Sequence, residues 1–394
     1  MPLIVFYLVP DVSDPAVARR LRALKLGGAE PRLAGFRRSA SPIREIEGVP
    51  VHDLGQTQDA KLAARVFSVA KVSVRISRLE SAVRGADVAI AKNLEMLSIA
   101  ARARSRFAPH AGLVYECLDI HRLLLSNSLP GKLLRRLETR LWRDVDLLLT
   151  SSPAFVREYF QPRQFPAPIR LVENKVLNTT ANSKVRAAAK RAEGAPPWRI
   201  GVFGMIRCRR SLEILSKLSQ SLAGAVEIVV RGRPSPAIFP DFDAFVRDRS
   251  GILFGGPYKN PEDLGSIYGA VHFIWCIDYY EASQNSAWLL PNRIYEGSLH
   301  SAVPIALSDV ETGRWLKERG AGLLLPDPPD ASLTAFFRHL DPAAYERLAE
   351  SVARLPIHDL ADDEETCLEL VQSLSRLQSR KSKIPITFKT AASS

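Results

Sequence analysis

The sequence predicts an α/β protein with two doubly wound domains, each built around a parallel sheet covered by helices. Short apolar runs alternate with amphipathic helical segments, which is typical of βαβ units. The alternation is interrupted once, at residues 178–197, which are polar, rich in Ala, Lys and Arg, and end in Pro196-Pro197. The length of 394 residues suits two or three domains. We expect the two domains to face each other across a cleft, with ligands at the carboxyl ends of the strands.

The first domain is predicted over residues 1–177. Residues 3–9, LIVFYLV, form an apolar run of the right length for one buried strand. The segment 14–27 places Val17, Leu21 and Leu24 on one helical face before Gly27-Gly28 ends it. The same patterns predict further strands at 31–36, 87–91, 113–116 and 147–150, and helices at 61–84, 96–105, 131–144 and 153–160.

A linker is predicted at 178–197 and a second domain at 198–360, where the alternation resumes. A helical segment follows at 361–382 and a polar tail at 383–394. The predicted strands of the second domain are 199–203, 227–231, 251–254, 271–276, 303–306 and 322–325. Its predicted helices are 211–222, 242–249, 260–269, 292–301, 311–319, 331–337 and 343–354.

The formal net charge is +12, and it is unevenly distributed. Residues 1–195 hold 32 Lys and Arg against 18 Asp and Glu, whereas residues 196–394 hold 22 against 24. A basic first half indicates an anionic partner, either nucleic acid, anionic lipid or a phosphorylated substrate. A solvated basic surface is the alternative. Because the sequence has no recognised nucleic-acid module and no interleaving of basic with aromatic residues, we expect no nucleic-acid partner.

The four cysteines, at positions 117, 208, 276 and 367, are far apart and form no CxxC pair. This usage disfavours a disulfide scaffold or a structural zinc site and suits a reducing compartment.

The first apolar run is short and follows no basic residue, so it is a poor signal peptide. No stretch approaches the ~18–20 apolar residues that a membrane span needs. We therefore expect a cytoplasmic protein, peripheral on the inner face of the plasma membrane if its basic half meets lipid.

The strongest local signal is the segment 200–211, IGVFGMIRCRRS. An apolar strand runs into a loop that holds Gly204, Arg207, Arg209 and Arg210, and a helix follows. Glycine lets a backbone approach a ligand closely, a helix N-terminus offers free N–H groups to anions, and arginine forks fit phosphate oxygens. Arginine is otherwise unfavourable at the positive end of a helix, so the pattern indicates a pyrophosphate site. An exposed basic turn is the alternative, and the segment is neither a P-loop nor a GxGxxG fingerprint.

The second signal is LPNRIYE at 290–296, followed by VPIA at 303–306. Pro291 suits the start of a helix, which places Asn292 and Arg293 in its first turn. Glu296 lies four residues after Asn292, on the same face. A carboxylate there can accept two hydrogen bonds from a vicinal diol such as a ribose, and an ion pair between Glu296 and Arg293 is the alternative.

Residues 132–143, KLLRRLETRLWR, alternate leucines and Trp142 with arginines at helical spacing. Such a helix either lies on an anionic bilayer, where it would bring the protein to a lipid-linked acceptor, or packs one face on a core and leaves a basic face in solvent. The sequence alone leaves both interpretations open.

The glycine and arginine loop, followed by the Pro-Asn-Arg-x-x-Glu helix, resembles the donor half of retaining GT-B glycosyltransferases of family 4. Gly232, the Gly-Pro-Tyr sequence that ends at Tyr258, and the segment 263–268 fit the same order. The segments 14–17, 87–93 and 115–121 match the first half of these enzymes in outline. The likeness covers residues 1–375 and is greatest to bacterial exopolysaccharide enzymes of the succinoglycan type.

The resemblance implies a GT-B fold and a sugar transferred with retention from a nucleoside diphosphate sugar, expected to be a UDP-sugar. It implies an acceptor that is a saccharide or a polyprenyl-diphosphate-linked oligosaccharide at the inner membrane, and no cofactor or metal. It also implies that the 361–382 helix crosses back to the first domain. Neutralising charge on the leaving diphosphate is the expected source of catalysis. The donor-binding positions that it implies are Gly204, Arg207, Arg209, Arg210, Gly232, Tyr258, Asn292, Arg293 and Glu296, with Arg207 and either Arg209 or Arg210 on the diphosphate and Glu296 on the ribose.

Asp119-Ile120-His121 follows the predicted strand 113–116, so its loop lies at a carboxyl end. The resemblance implies that His121 hydrogen-bonds the donor sugar and that Asp119 orients it or contacts the acceptor. Both therefore join Arg207 and Arg209 as catalytic candidates, and a retaining mechanism that passes the acceptor proton to the donor phosphate requires no protein base. The structural alternative is Asp119 as the N-cap of a helix that starts near Arg122.

Two positions depart from the family pattern. Trp288 stands where members often have a glutamate eight residues before the ribose glutamate, and arginine replaces the usual lysine after the loop. Asp144-Val145-Asp146 and Asp241-Phe242-Asp243 resemble the metal-binding DxD of GT-A enzymes, but each lies at a helix boundary, and we predict no metal site there. A GT-B epimerase, a degenerate enzyme that binds donor without turnover, and a non-catalytic basic binding protein are the alternatives.

Overall fold

The computed structural model describes residues 1–57, 76–177, 192–282 and 284–382. The chain divides into two compact units. The first unit comprises Met1–Thr150, Tyr159–Val172 and the segment that begins at Glu364, and the second comprises Ser151–Glu158 and Glu173–Asp363. Most of the predicted linker, at 178–191, and the tail at 383–394 lie outside the described residues. Among the described residues, no helix is both long enough and apolar enough to cross a membrane.

The first unit is built on an eight-stranded sheet. Its strands are β1 (Ile4–Val9), β2 (Glu30–Arg37), β3 (Glu45–Ile46), β4 (Val49–Gln56), β5 (Val88–Lys92), β6 (Gly112–Cys117), β7 (Leu147–Thr150) and β8 (Ile169–Leu171). They lie in the order β3-β4-β2-β1-β5-β6-β7-β8, and every pair is parallel except the β3–β4 hairpin. β1 is buried from Val5 to Val9, as expected for a central strand with both faces covered.

Helices cover this first sheet, and the longest of them comes from the far end of the chain. The helices are Pro15–Leu26, Glu80–Val83, Asn93–Phe107, Arg122–Leu125, Leu129–Trp142 and Glu364–Ser382. The last helix packs so closely that a Cβ on Gly27 would lie 2.3 Å from the carbonyl oxygen of Cys367, and one on Gly112 would lie 2.9 Å from the Cβ of Leu377. Gly27 therefore allows this close contact as well as ending the helix Pro15–Leu26.

The second unit holds a six-stranded parallel sheet and a two-stranded ladder. Its strands are β9 (Val176–Leu177), β10 (Trp198–Ile206), β11 (Val226–Pro234), β12 (Ile252–Phe254), β13 (Phe273–Trp275), β14 (Val303–Leu307), β15 (Leu323–Leu325) and β16 (Ala361–Asp362). The sheet order is β12-β11-β10-β13-β14-β15, and β16 pairs with β9. Its helices are Pro153–Phe155, Arg209–Ser221, Phe242–Arg247, Leu264–Gly269, Asn285–Trp288, Asn292–Leu299, Glu311–Glu318, Asp330–His339, Pro342–Ala353 and Ile357–Leu360.

Several predicted elements differ from the structure. The sequence pattern missed β3, β4, β8, β9 and β16, which are short or lie towards a sheet edge. The helix predicted at 361–382 starts at Glu364, because residues 361–362 form β16 instead. Of the helix predicted at 61–84, residues 61–75 lie outside the described residues, and the rest contains a 3₁₀ turn at Ile76–Leu79 and one α-turn at Glu80–Val83. The helix predicted at 153–160 is α-helical only at Pro153–Phe155 and widens to a π-type turn at Val156–Phe160.

Candidate functional site

The second unit has its topological switch point between β10 and β13. The chain moves outward from β10 through β11 to β12 and then returns to β13 on the other side, so the loops after β10 and β13 diverge at the carboxyl edge. Such crevices are where open α/β sheets bind ligands. Gly204 and Gly232 are register partners in β10 and β11, and both have positive φ, at 107° and 136°. A Cβ on Gly232 would lie 1.8 Å from the carbonyl oxygen of Gly204, so this position requires glycine for backbone packing alone.

Two of the three loop arginines point to the loop that follows β13. The Arg207 guanidinium lies 3.4 Å from Asp278 Oδ2 and 4.8 Å from the centre of the Tyr280 ring. Arg210 lies 3.3 Å from Asp327 Oδ1 and 3.9 Å over the Tyr279 ring. These ion pairs are long and the arginines are 39% and 51% exposed, so both cations remain accessible to an anion that arrives from solvent.

Arg209 points elsewhere. It donates to the carbonyl oxygen of Ile238 at 3.0 Å and covers the rings of Phe239 and Phe245. The structure thus groups Arg207 with Arg210 on one loop and directs Arg209 to the aromatic residues that follow β11. Its predicted role on the diphosphate stays a prediction.

The helix Arg209–Ser221 presents its N-terminus at the same edge. Its N-cap, Cys208, makes no capping hydrogen bond with its side chain, because the thiol contacts Ser211 Oγ at 3.0 Å and accepts from the Tyr279 N–H at 3.3 Å. The N–H groups of the first helical turn are therefore not capped by Cys208, and they carry the positive end of the helix dipole. The helix end and the two cations form a coherent anion-attracting edge.

Glu296 lies in the middle of the helix Asn292–Leu299 and is 6% exposed. Its Oε1 accepts from the Asn260 amide at 3.1 Å and its Oε2 accepts from the Tyr268 hydroxyl at 2.7 Å. These two donors fix the carboxylate, so the alternative of an ion pair with Arg293 is not what the structure contains. Each carboxylate oxygen keeps a second lone pair for a ligand.

The surroundings of Glu296 combine aromatic rings and cations. Burial raises the pKa of the Tyr258 hydroxyl, and the negative charge of Glu296 raises it further, whereas Arg293 and Arg231 lower it. These residues are therefore electrostatic neighbours, with Asn292 half-buried at the first position of the helix. Behind them the His300 ring stacks on Tyr268 with centroids 6.0 Å apart, and burial lowers the pKa of His300 to about 4, which keeps it neutral at pH 7.

Sequence reasoning missed five residues of this edge. Asp278, Tyr279 and Tyr280 closely follow the apolar run of β13. An acidic residue and two aromatic residues at the carboxyl end of a central strand could have indicated that they belong to the site. Asn260 carries no signal in the sequence, and Tyr268 stood out only as the end of the segment 263–268, without a role. Their contacts with Glu296 arise only in the fold.

In the first unit, the loop after β6 carries Asp119 and His121, both exposed. His121 Nδ1 accepts from the Leu123 N–H at 3.3 Å, so His121 is the N-cap of the short helix Arg122–Leu125. The structural alternative, in which Asp119 is the N-cap of this helix, is wrong. Because Nδ1 of His121 accepts this capping hydrogen bond, only Nε2 remains for contact with a ligand.

Two buried polar groups tie the strand ends of the first unit together. Glu116 accepts from the Tyr7 hydroxyl at 2.5 Å and from Arg20 Nε at 2.7 Å, and it is fully buried. Lys92 lies 2.5 Å from Asp14 Oδ2, which joins the carboxyl end of β5 to the loop after β1. These contacts join β6 and β5 to β1 and to the segment that follows it, at the sheet edge that presents the Asp119 loop.

The two candidate DxD sequences have structural partners. Asp241 Oδ1 caps the helix Phe242–Arg247 by accepting from the Ala244 N–H at 2.8 Å, and Asp146 Oδ2 accepts from the Leu113 N–H at 2.8 Å.

The carbonyl of Trp288 accepts a hydrogen bond from the Ser152 hydroxyl, and the Trp288 side chain is half-buried. Among the residues that the structure describes, no group of three or more His, Cys, Asp or Glu could hold a metal ion.

Comparison with known proteins places this geometry in context. No family model matches the chain. The succinoglycan biosynthesis protein ExoL of Rhizobium meliloti (strain 1021) is 46% identical over 376 residues, which covers 95% of this chain and 93% of that protein. Sucrose-phosphate synthase from Thermosynechococcus elongatus has a similar structure, with a TM-score of 0.70, 14% identity, and coverage of 96% of this chain and 100% of that chain.

HepE of Anabaena has been solved in complex with UDP and also with UDP-glucose. The UDP complex is 14% identical to this chain, with a TM-score of 0.65 and coverage of 95% of this chain and 100% of HepE. The UDP-glucose complex has a TM-score of 0.64 at the same identity and coverage. The likeness to these structures establishes the fold, and the predicted GT-B architecture of two Rossmann-like units is confirmed.

Proposed function

Since the chain belongs to the family of the succinoglycan biosynthesis protein ExoL, a family of GT-B glycosyltransferases, we propose that it transfers a sugar from a UDP-sugar to a lipid-linked oligosaccharide. The transfer retains the anomeric configuration and belongs to exopolysaccharide biosynthesis at the cytoplasmic face of the membrane. The observation that carries the proposal is the carboxyl edge of the second sheet, where two accessible arginines and an uncapped helix end lie beside the switch point.

In this proposal the diphosphate binds to Arg207, Arg210 and the first turn of Arg209–Ser221. Bond cleavage moves negative charge onto the leaving diphosphate, and cations that are already in position stabilise that charge without reorganisation. The phosphate would replace the weak contact of Arg207 with Asp278, whose distance of 3.4 Å leaves the guanidinium free to reorient. These groups provide the positive charge, so the reaction needs no added divalent cation.

Glu296 binds the ribose. Its oxygens are held by Asn260 and Tyr268, and the remaining lone pairs accept from the two ribose hydroxyls. Tyr258, Arg293 and Asn292 surround the same carboxylate and complete the nucleoside site, with Gly204 and Gly232 shaping the adjacent backbone.

The acceptor belongs to the first unit in this proposal. Asp119 and the free Nε2 of His121 lie on an exposed loop at the carboxyl edge of that sheet, and they contact the transferred sugar and the acceptor. The acceptor proton passes to the donor phosphate, so these residues bind and orient and need not act as a base.

Calorimetric titration of the full chain with UDP, GDP and dTDP tests the donor site. We expect UDP to bind, and Arg207→Ala or Glu296→Ala to weaken it by about 1.5–3 kcal/mol, or roughly tenfold to a hundredfold, because each change removes a hydrogen bond to a charged group. Arg338→Ala is a matched control, since this exposed arginine lies at the far end of the helix Asp330–His339. Absence of nucleotide binding would overturn the proposed function, and equal weakening by the control would contradict the assigned roles.

A further inference from the structure

The helix Leu129–Trp142 exposes a row of leucines in the first unit. Leu129 is 76% exposed, Leu133 is 61% exposed and Leu137 is 45% exposed. These residues are four apart, so they line one face of the helix, and we call them the leucine stripe. Exposed leucines that occur singly are ordinary, but three in a row on one helix mark a contact surface.

The opposite face of this helix is fixed to the core. Glu138 is fully buried and accepts from the Tyr115 hydroxyl at 3.0 Å and from the Tyr159 hydroxyl at 2.5 Å. Trp142 is buried too, with its ring 5.1 Å from that of Phe165. The helix therefore cannot rotate to hide the stripe, which is held outward in the folded unit.

Basic residues accompany the stripe. Lys132, Arg136 and Arg140 are exposed and, at 100° per residue, lie on the same side of the helix as the leucines. We call them the basic flank. Glu138 is the one acidic residue of this helix and it is buried, so the exposed face carries positive charge alone.

The stripe is most exposed at the end of the helix that follows β6. A helix that connects parallel strands starts near the carboxyl end of the preceding strand, and the loop between β6 and this helix holds Asp119 and His121. The stripe and the proposed acceptor loop thus share one edge of the first unit.

We propose that the leucine stripe and the basic flank dock the first unit on the surface of an anionic phospholipid bilayer. The leucines enter the boundary between headgroups and acyl chains while the basic flank meets lipid phosphates, the arrangement that interfacial amphipathic helices adopt. A second copy of the chain fits this face poorly, because two-fold pairing would bring both basic flanks together. The docking stands independently of the donor site, while its use in presenting a lipid-linked acceptor rests on the proposed function.

Flotation of the full chain with phosphatidylcholine vesicles, with and without phosphatidylglycerol, tests the docking. We expect binding to the anionic vesicles that weakens as salt rises. Replacing the three stripe leucines with Gln should lower the partition coefficient about tenfold or more, because leucine burial drives insertion. The matched control replaces Leu171 and Leu368, which are 44% and 46% exposed on other elements of the same unit.

Removal of charge tests the other half of the proposal. Each Gln substitution in the basic flank should weaken binding about fivefold, which corresponds to about 1 kcal/mol per basic residue near an anionic surface. Arg102→Gln with Arg106→Gln removes exposed charges from another helix of the unit and should have a smaller effect. Every variant should still bind UDP with the wild-type affinity, so loss of docking and loss of the donor site are told apart.

Two outcomes would overturn the proposal. One is the absence of binding to anionic vesicles, or binding that the stripe substitutions leave unchanged. The other is a chain that elutes as a dimer and becomes monomeric when the stripe leucines are replaced, because the stripe would then be an interface between copies.

Discussion

Glu138 makes the stability of the first unit depend on pH. Burial raises the pKa of its carboxyl from 4.5 to about 7, and the hydrogen bonds from Tyr159 and Tyr115 only partly oppose that rise. In the unfolded chain the same carboxyl ionises near its ordinary value. The gap between the two values corresponds to about 3 kcal/mol, at 1.36 kcal/mol for each pH unit.

The sign follows from proton binding. Below pH 4.5 the carboxyl is protonated in both states, so the titration of Glu138 costs no stability there. Between pH 4.5 and about 7 the unfolded chain has released this proton while the folded chain retains it, so the free energy of unfolding falls by about 1.4 kcal/mol per pH unit. Above pH 7 the loss is complete at about 3 kcal/mol.

The Glu138→Gln variant keeps the shape of the side chain and removes the titration. Trp142 is the one tryptophan in the first unit, so its ¹⁹F resonance in fluorotryptophan-labelled protein reports unfolding of that unit in urea. We expect the variant to gain about 3 kcal/mol relative to wild type between pH 4.5 and pH 8. The exposed Glu80→Gln serves as control. Wild-type and variant stabilities that stay parallel across this pH range would refute the reasoning.

Three further predictions concern the second unit. Tyr268→Phe keeps the ring but leaves Glu296 without its 2.7 Å donor, so the affinity for UDP should fall about tenfold in calorimetry, and an unchanged affinity would contradict a positioning role. Gly232→Ala should lower the midpoint of thermal unfolding much more than Gly224→Ala does, because a Cβ at position 232 would lie against the carbonyl of Gly204, whereas position 224 is open. Equal midpoints for the two variants would contradict the close contact. Because side chains supply the positive charge at the proposed diphosphate site, UDP affinity measured by calorimetry should be the same in EDTA as in Mg²⁺, and a requirement for Mg²⁺ would contradict this.

The central strands were predictable because both of their faces are buried. β1 and β14 are continuous apolar runs, and β10 has a buried run without polar side chains from Ile200 to Phe203, so their burial needs no knowledge of their partners. β4, with the sequence VPVHDLGQ, was missed because it lies near the sheet edge and has only two buried residues, Val49 and Leu54. Its pairing with β2 is what makes it a strand. Pairing partners lie outside any local window of sequence.

The sequence motif predicted which residues form the donor site, but it did not predict the directions in which their side chains point. Arg207 precedes the helix, whereas Arg209 and Arg210 are its first two residues and therefore point about 100° apart. Because of that angle, Arg209 contacts the Phe239 ring and Arg210 contacts the Tyr279 ring. Three arginines that are close together in the sequence do not by themselves indicate these different directions. Similarly, Glu296 stood out by its position in the motif, whereas the two donors that hold it, Tyr268 and Asn260, lie 28 and 36 residues earlier in the chain.

The return of the C-terminal helix to the first unit has a consequence for biosynthesis. Its leucines at 370, 374 and 377 complete a core with Val17, Leu21 and Leu24, residues that leave the ribosome long before them. Until translation reaches the last turns of this helix, the first unit lacks one wall of its core, while all six strands of the main sheet of the second unit have already been synthesised. The part of the protein that is made first therefore finishes folding last, and a nascent chain that ends before residue 364 leaves the apolar side chains of Val17, Leu21 and Leu24 without their partners from this helix.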